Sequence, residues 1–286
     1  MKLITSEEIL QKFIPNIIQV VKGEIPLIEK IAPFLDIAEE WLQQTFTSEP
    51  TFTAIAGYSD SNIIKTYAAK VVVCEAFRNA IPSLDLVLTP NGFGIVSNSN
   101  IAPASKERVN RLMESLEAER DAAIRLLIPS LVGASRWKYS KQHEFFSATL
   151  FPNLDICDYL GYTSHQWQHY LEIRPTLLEI EEYIAVHFIG HEEYENFRQH
   201  VIFNDSPDDM IISVIRSLRA CEAQMLKDRL SNTSPSRRTP PTTFVEIVNT
   251  IRDNPYVFDI WHNSDISKLF SPPKYENQKN DKGYWF

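Results

Sequence analysis

Cysteine is scarce in this 286-residue chain, which contains only Cys74, Cys157 and Cys221. Their odd number, wide separation and lack of metal-ligand spacing argue against a disulfide framework and a zinc-binding cysteine cluster, and leave three small, reduced core residues. Basic charge is also short: 28 Lys and Arg face 37 Asp and Glu, a formal net charge of −9. The surface as a whole repels phosphate backbones, which disfavours a general nucleic-acid binder. No apolar run approaches bilayer length. The opening Met1-Lys2-Leu3-Ile4-Thr5 lacks the charged, apolar and cleavage regions of a signal peptide, so general export and membrane insertion are both disfavoured. The chain also lacks a nucleophile elbow, dinucleotide fingerprint, kinase signature and Cys-x-x-Cys pair. Catalysis therefore has no motif in its support.

What is present is an ordinary globular composition, 44% hydrophobic and 23% charged, long enough for one large domain or two ordinary ones without metal or disulfide. Thr5 and Glu8 have the form of a capping box opening a short helix that Pro15 interrupts. From Pro26 to Phe46, Ile28, Ile31, Leu35, Ala38 and Leu42 recur at helical spacing. A loop through Glu49-Pro50 and Gly57 follows. A central helix from about Asp60 carries Ile63, Ile64, Tyr67, Val71, Val72, Cys74 and Phe77, and Pro82 is expected to stop it. Leu84, Leu86 and Leu88 alternate with Asp85 and Val87 before Pro90-Asn91-Gly92, which predicts a β-hairpin over 84–96. A long helix runs from Ser105 to about 128, with Pro129 ending or bending it. Short helices and loops occupy 131–161, a strongly acidic helix covers 175–188, and another helix covers 208–230. The Ser/Thr/Pro-rich stretch 231–243 reads as a loop, followed by a short helix over 244–253 and an aromatic tail. The fold class is mainly α: helical hairpins with one β-hairpin insertion. Residues 1–150 form a first helical unit and 151–230 a second, while 231–286 hold the loop, short helix and tail.

Internal similarity is visible. A shift of 142 pairs Ile31, Pro33, Leu35, Glu39, Glu40 and Phe46 with Ile173, Pro175, Leu177, Glu181, Glu182 and Phe188, six identities in sixteen positions. A shift of 147 pairs Ile64, Cys74, Glu75 and Ala76 with Ile211, Cys221, Glu222 and Ala223. Either a two-helix unit is duplicated, or two amphipathic helices of similar length resemble each other by chance.

Candidate chemistry is thin. His187, His191, Glu192, Glu193 and His200 form the best metal-like cluster, but Gly190 is expected to end the helix between the first two histidines, and the zinc-protease motif lacks its second histidine. His165 and His169 flank Trp167, with no carboxylate placed by spacing to complete a ligand set. Asn91-Gly92-Phe93-Gly94 lacks the lysine and following helix of a phosphate loop. The expectation is no enzyme, no cofactor and no metal; the alternatives are a metal-dependent enzyme using His187 to His200, or a peptide-binding module. Partner contacts are expected at Asn91, Gly92 and Phe93, where strand edges need cover. They are also expected at Tyr284, Trp285 and Phe286, three consecutive aromatics that dock on their own core or on a neighbour.

Leu88-Thr89-Pro90-Asn91-Gly92-Phe93-Gly94 and Ala102-Pro103-Ala104-Ser105-Lys106-Glu107-Arg108-Val109 resemble an uncharacterised family carried by phages and prophages of the Bacteroidetes. The likeness continues through Thr149-Leu150-Phe151-Pro152 and Ile173-Arg174-Pro175 to the aromatic tail, which would cover most of the chain. The family's place among virion genes is similar to that of head-tail connector, or adaptor, proteins. The resemblance implies a structural neck protein of the virion, assembled in the bacterial cytoplasm. Its copies would form a homo-oligomeric ring, twelvefold symmetry being one option, beneath the portal and against tail or neck proteins, and genomic DNA would pass without sequence-specific binding. An acidic conduit suits DNA passage, and Glu179, Glu181 and Glu182 are the expected lining.

Overall fold

In a computed structural model the protein is mainly helical, and the structure describes residues 2–14, 25–84, 86–89, 92–95, 105–203, 205, 208–231 and 242–270. Chain contacts divide it into two compact units: Met1–Arg174 with Ile202–Asn204, and Pro175–Val201 with Asp205–Phe286. This division differs from the sequence-based one at residue 150. It falls inside a helix, and residues 242–270 belong with the second unit.

In unit 1, α1 (Glu7–Phe13) is capped by Ser6, whose Oγ accepts from the Ile9 amide at 3.4 Å. The cap is therefore one residue later than the Thr5 of the expected box. After α2 (Leu27–Lys30), α3 (Ala32–Leu42) buries Leu35, Ala38 and Leu42. The predicted loop after it is instead α4 (Glu49–Ala56), which buries Thr51, Phe52, Ile55 and Ala56. Its start signal is Pro50 in the first turn, where a missing N–H costs nothing. Asn62 Oδ1 caps α5 (Ile63–Leu84) by accepting from the amides of Ile64 and Lys65 at 3.0 and 3.2 Å. Pro82 does not stop α5, which continues to Leu84. So close to the end, a proline disturbs only the last turn.

Strands β1 (Leu86–Thr89) and β2 (Gly92–Ile95) pair antiparallel, with Leu86 opposite Ile95 and Thr89 opposite Gly92. α6 (Lys106–Ser130) packs along α5 in the largest helix contact described for this unit. The mixed stretch after it resolves into α7 (Lys141–Ser147) and α8 (Asp155–Leu160).

The expected acidic helix begins well before Pro175, because α9 spans Gln166–Ile184 with that proline inside it. Trp167, Tyr170, Ile173, Leu177, Ile180 and Ile184 are all buried and keep helical spacing through the proline. Burial of that stripe outweighs one lost backbone hydrogen bond. In unit 2, α10 (His191–Phe203) is a helix that the sequence reading missed. α11 (Asp209–Leu230) and α12 (Thr242–Asp253) agree closely with expectation, and α13 (Asp259–His262) and α14 (Ser267–Phe270) complete the described chain.

Each unit contains a π-helical turn closed in the same manner. Gln43–Thr47 ends with the Ser48 amide donating to the Gln43 carbonyl at 2.8 Å, and Ala185–Ile189 with the Gly190 amide donating to the Ala185 carbonyl at 2.8 Å. Both closing residues have positive φ, 66° at Ser48 and 88° at Gly190. A buried indole then seizes a carbonyl of each turn: Trp137 Nε1 donates to Phe46 O at 2.8 Å in unit 1, and Trp261 Nε1 to Phe188 O at 2.9 Å in unit 2. Three residues on, Ser140 and Ser264 each donate Oγ–H back to the tryptophan carbonyl at 2.6 Å. Six further on, Phe146 and Phe270 face Phe46 and Phe188, with ring centroids 5.8 and 6.1 Å apart.

Removing either indole donor strands a carbonyl and opens a cavity. Trp137→Phe and Trp261→Phe should each lower unfolding free energy by about 2–4 kcal/mol in urea titration. Ser48 holds φ 66° and ψ 160°, a conformation natural only to glycine. Ser48→Gly should therefore raise stability by about 1 kcal/mol, and Gly190→Ala, with no atom nearer than 3.9 Å to an added Cβ, should lower it through backbone strain alone. Equal and unchanged urea midpoints for these two variants would contradict that account.

Candidate functional site

The residues expected to carry function lie on separate elements of the chain. Gly92 and Phe93 lie on β2, opposite Thr89 and Leu88, whereas Asn91 and the Tyr284-Trp285-Phe286 tail lie outside the described residues, as does 232–241 of the expected loop. Of the proposed acidic lining, Glu179 and Glu182 are exposed, with side chains 73% and 63% accessible. Glu181 is a correction: it is fully buried, its Oε2 accepting from Nε and a terminal nitrogen of Arg198 at 3.2 and 2.9 Å. It belongs to the interior of unit 2 and lines no conduit.

The histidine cluster is similarly dispersed. His187 packs on Tyr183 in the π-helical turn, and His191 opens α10 beyond Gly190, 3.7 Å from Glu182. His200 reaches Asp205 at 2.7 Å. Glu193 is buried and accepts from the Trp261 amide at 3.1 Å. Among the described residues, no group of three His, Cys, Asp or Glu is arranged to hold a metal ion. His165 pairs with Glu117 at 2.8 Å, whereas His169 stacks on Tyr162. Burial pushes the thiols of Cys74 and Cys157 up to about 12 and that of Cys221 to about 11, far from thiolate reactivity.

Charge convergence does occur in unit 1, at a cleft of about 650 Å³ lined by Glu117, Asp121, Arg125, Asp158, His165 and Gln166 among others. Its charges are engaged with one another. Arg125 binds both Asp158 and the Gln166 side-chain oxygen, which ties α6 to α8 and to the start of α9. Asp121 is 2% exposed and accepts from Arg120 at 2.7 Å and from the Trp167 amide at 3.3 Å. Among the described hydrogen bonds, no hydroxyl or thiol of the cleft is joined to a histidine or carboxylate. The Arg125 and Asp121 contacts hold α6, α8 and α9 together.

Behind the cleft, Arg120 is the hub that the sequence reading missed. Only 4% exposed, it donates to Glu75 at 2.7 Å, to Asp121 at 2.7 and 2.9 Å and to Glu117 at 3.3 Å. Burial alone would push Glu75 up, but the hydrogen bond and charge of Arg120 hold it below the usual glutamate range. Glu39 is a second interior acid, accepting from the amides of Leu3 and Ile4 at 2.7 and 3.1 Å, and burial raises its pKa. Arg120→Leu should cost about 3–5 kcal/mol, because it leaves buried carboxylates without their cation. A chemical-denaturation midpoint within error of the parent would refute the hub.

The profile of a family of unknown function (DUF6712) matches residues 18–147, a span that ends on the last residue of α7, just beyond Phe146. No curated protein and no solved structure matches the chain. Over that span, less than half of its length, the chain is similar to this family.

Proposed function

We propose that this chain is a structural assembly protein, built from two copies of one helical packing unit and serving as a head-tail connector: a ring beneath a portal through which DNA passes. The observation that carries the reading is the recurrence of one closure in both units. The shift of 142 that aligns Phe46 with Phe188 also aligns Ser48 with Gly190, and both π-helical turns and both indole-held carbonyls fall in register. A shift of 147 aligns much of α5 with α11, each 22 residues long. A third shift, of 124, aligns Trp137, Ser140 and Phe146 with Trp261, Ser264 and Phe270.

Repetition of a packing unit suits a scaffold better than a single asymmetric reaction chamber, and the buried ionisable groups described above serve helix packing. The connector assignment itself is supported by the resemblance to phage virion proteins. Glu179 and Glu182, three apart on α9 and both exposed, share one face and are the revised acidic lining. No described helix is long and apolar enough to cross a membrane.

Native mass measurement of the full chain, alone and mixed with a phage portal protein, should give a closed multimer in at least one arm. A chain that stays monomeric and ignores portal overturns the reading.

A further inference from the structure

Glu222, on α11 in unit 2, is 0% exposed. The Tyr194 hydroxyl on α10 donates to its Oε1, and Oε2 has no hydrogen-bond partner among the described residues. The charged and titratable groups that act on it are Glu181 from α9, Tyr194 and Arg198 from α10, and Arg219 and Cys221 on its own helix. Of these, Arg198 binds Glu181 directly, in a forked contact. Glu222 thus sits beside a second buried carboxylate with its own outer oxygen unsatisfied.

Comparison with Glu75 sharpens the point; it rests on the correspondence proposed above, whereas the test below reads Glu222 alone. Glu75 is contacted by Arg78, Asn79 and Arg120. The matching positions in unit 2 are Met225, Leu226 and Phe244, all buried and apolar, and Tyr194 occupies the position that is Phe52 in unit 1. One position holds an ion pair in unit 1. At its counterpart the positions of Arg78, Asn79 and Arg120 hold hydrocarbon and one hydroxyl is gained, while Arg219 and Arg198 remain as charges that act on Glu222.

We propose that Glu222 is a proton-operated latch: with its carboxyl protonated, the α10–α11 packing that buries it is closed, and release of that proton to solvent opens it. Arg198 is engaged by Glu181, and the Arg219 and Arg198 charges together offset only part of the cost of ionising a fully buried Glu222 beside Glu181, so ionisation favours separation of the helices or entry of water. Burial first, and the neighbouring Glu181 charge second, hold the Glu222 carboxyl well above the usual glutamate range. The sign follows from proton counting. Between the ordinary glutamate value and the raised one, the closed form binds a proton that the open form lacks, so closure is strongest at low pH and weakens as pH rises.

The test is hydrogen exchange on the full-length protein from about pH 5 to about pH 9, corrected for intrinsic rates. Peptides from α10 and α11 should show an opening constant rising by up to about tenfold per pH unit within part of this range, as one linked proton requires. Peptides from α5 and α6 serve as the internal control. Glu222→Gln, which cannot ionise, should flatten that rise to less than about twofold. Tyr194→Phe removes the hydrogen bond that favours the ionised form, and should move the opening transition to higher pH. A flat wild-type profile, an unchanged slope in Glu222→Gln or an unmoved transition in Tyr194→Phe would each overturn the latch.

Discussion

Both units depend on satisfying a main-chain carbonyl at a π-helical turn. Such a turn widens the helix and ends it abruptly, leaving terminal carbonyls without intrahelical donors. In the interior an unmade backbone hydrogen bond is expensive. An indole N–H meets the need while its ring fills the surrounding space, and it arrives from 91 residues away at Trp137 and 73 residues away at Trp261. A side chain with a fixed donor and a large rigid body places its own segment closely. The serine that turns back onto the tryptophan carbonyl and the phenylalanine that meets the turn then complete a small closed circuit of contacts in each unit.

Much of this helical layout was legible from apolar spacing. α11 and α12 fell close to expectation because their buried faces are regular and their ends carry ordinary signals. Prolines misled the reading wherever a buried stripe ran through them, as at Pro175, where neighbours on both sides contribute to one apolar face. α4 and α10 were hidden for different reasons. α4 is short and starts with Glu49-Pro50, a pair that marks a first turn as readily as a loop. α10 is so rich in charge that its buried Tyr194 and Phe197 do not stand out as a stripe. The indole closures were also present in the sequence, as Trp137-x-x-Ser140 and Trp261-x-x-Ser264 with a phenylalanine six residues later, but only a shift different from those of the preceding helices brings them into line.

Charged residues were the least legible, because spacing reports which face a residue shares and not whether that face meets solvent or another helix. Glu181 lies between exposed Glu179 and Glu182 in an acidic run, yet it is the member that points inward to Arg198. Arg120 and Asp121 are adjacent charged residues on a long helix with nothing in their spacing to mark them, and both are interior. In each case a long polar side chain finds its partner on an element distant in sequence. That information lies in three dimensions and leaves no local pattern.

The interior acids also constrain how two such units can diverge. Replacing an apolar residue by another of similar volume is tolerated in a packed core, but removing the cation from a buried ion pair is not, unless the acid is lost or becomes neutral in the same evolutionary interval. Under the proposed correspondence, unit 2 retained its acid at Glu222 while Met225 and Phe244 stand where unit 1 keeps Arg78 and Arg120. Burial and the neighbouring Glu181 charge favour the neutral acid at Glu222, against the opposing pull of Tyr194, Arg219 and Arg198. A glutamine there would satisfy packing equally well and would not titrate. Retention of a titratable group at a place where an amide would serve is therefore the feature of unit 2 that packing alone does not account for.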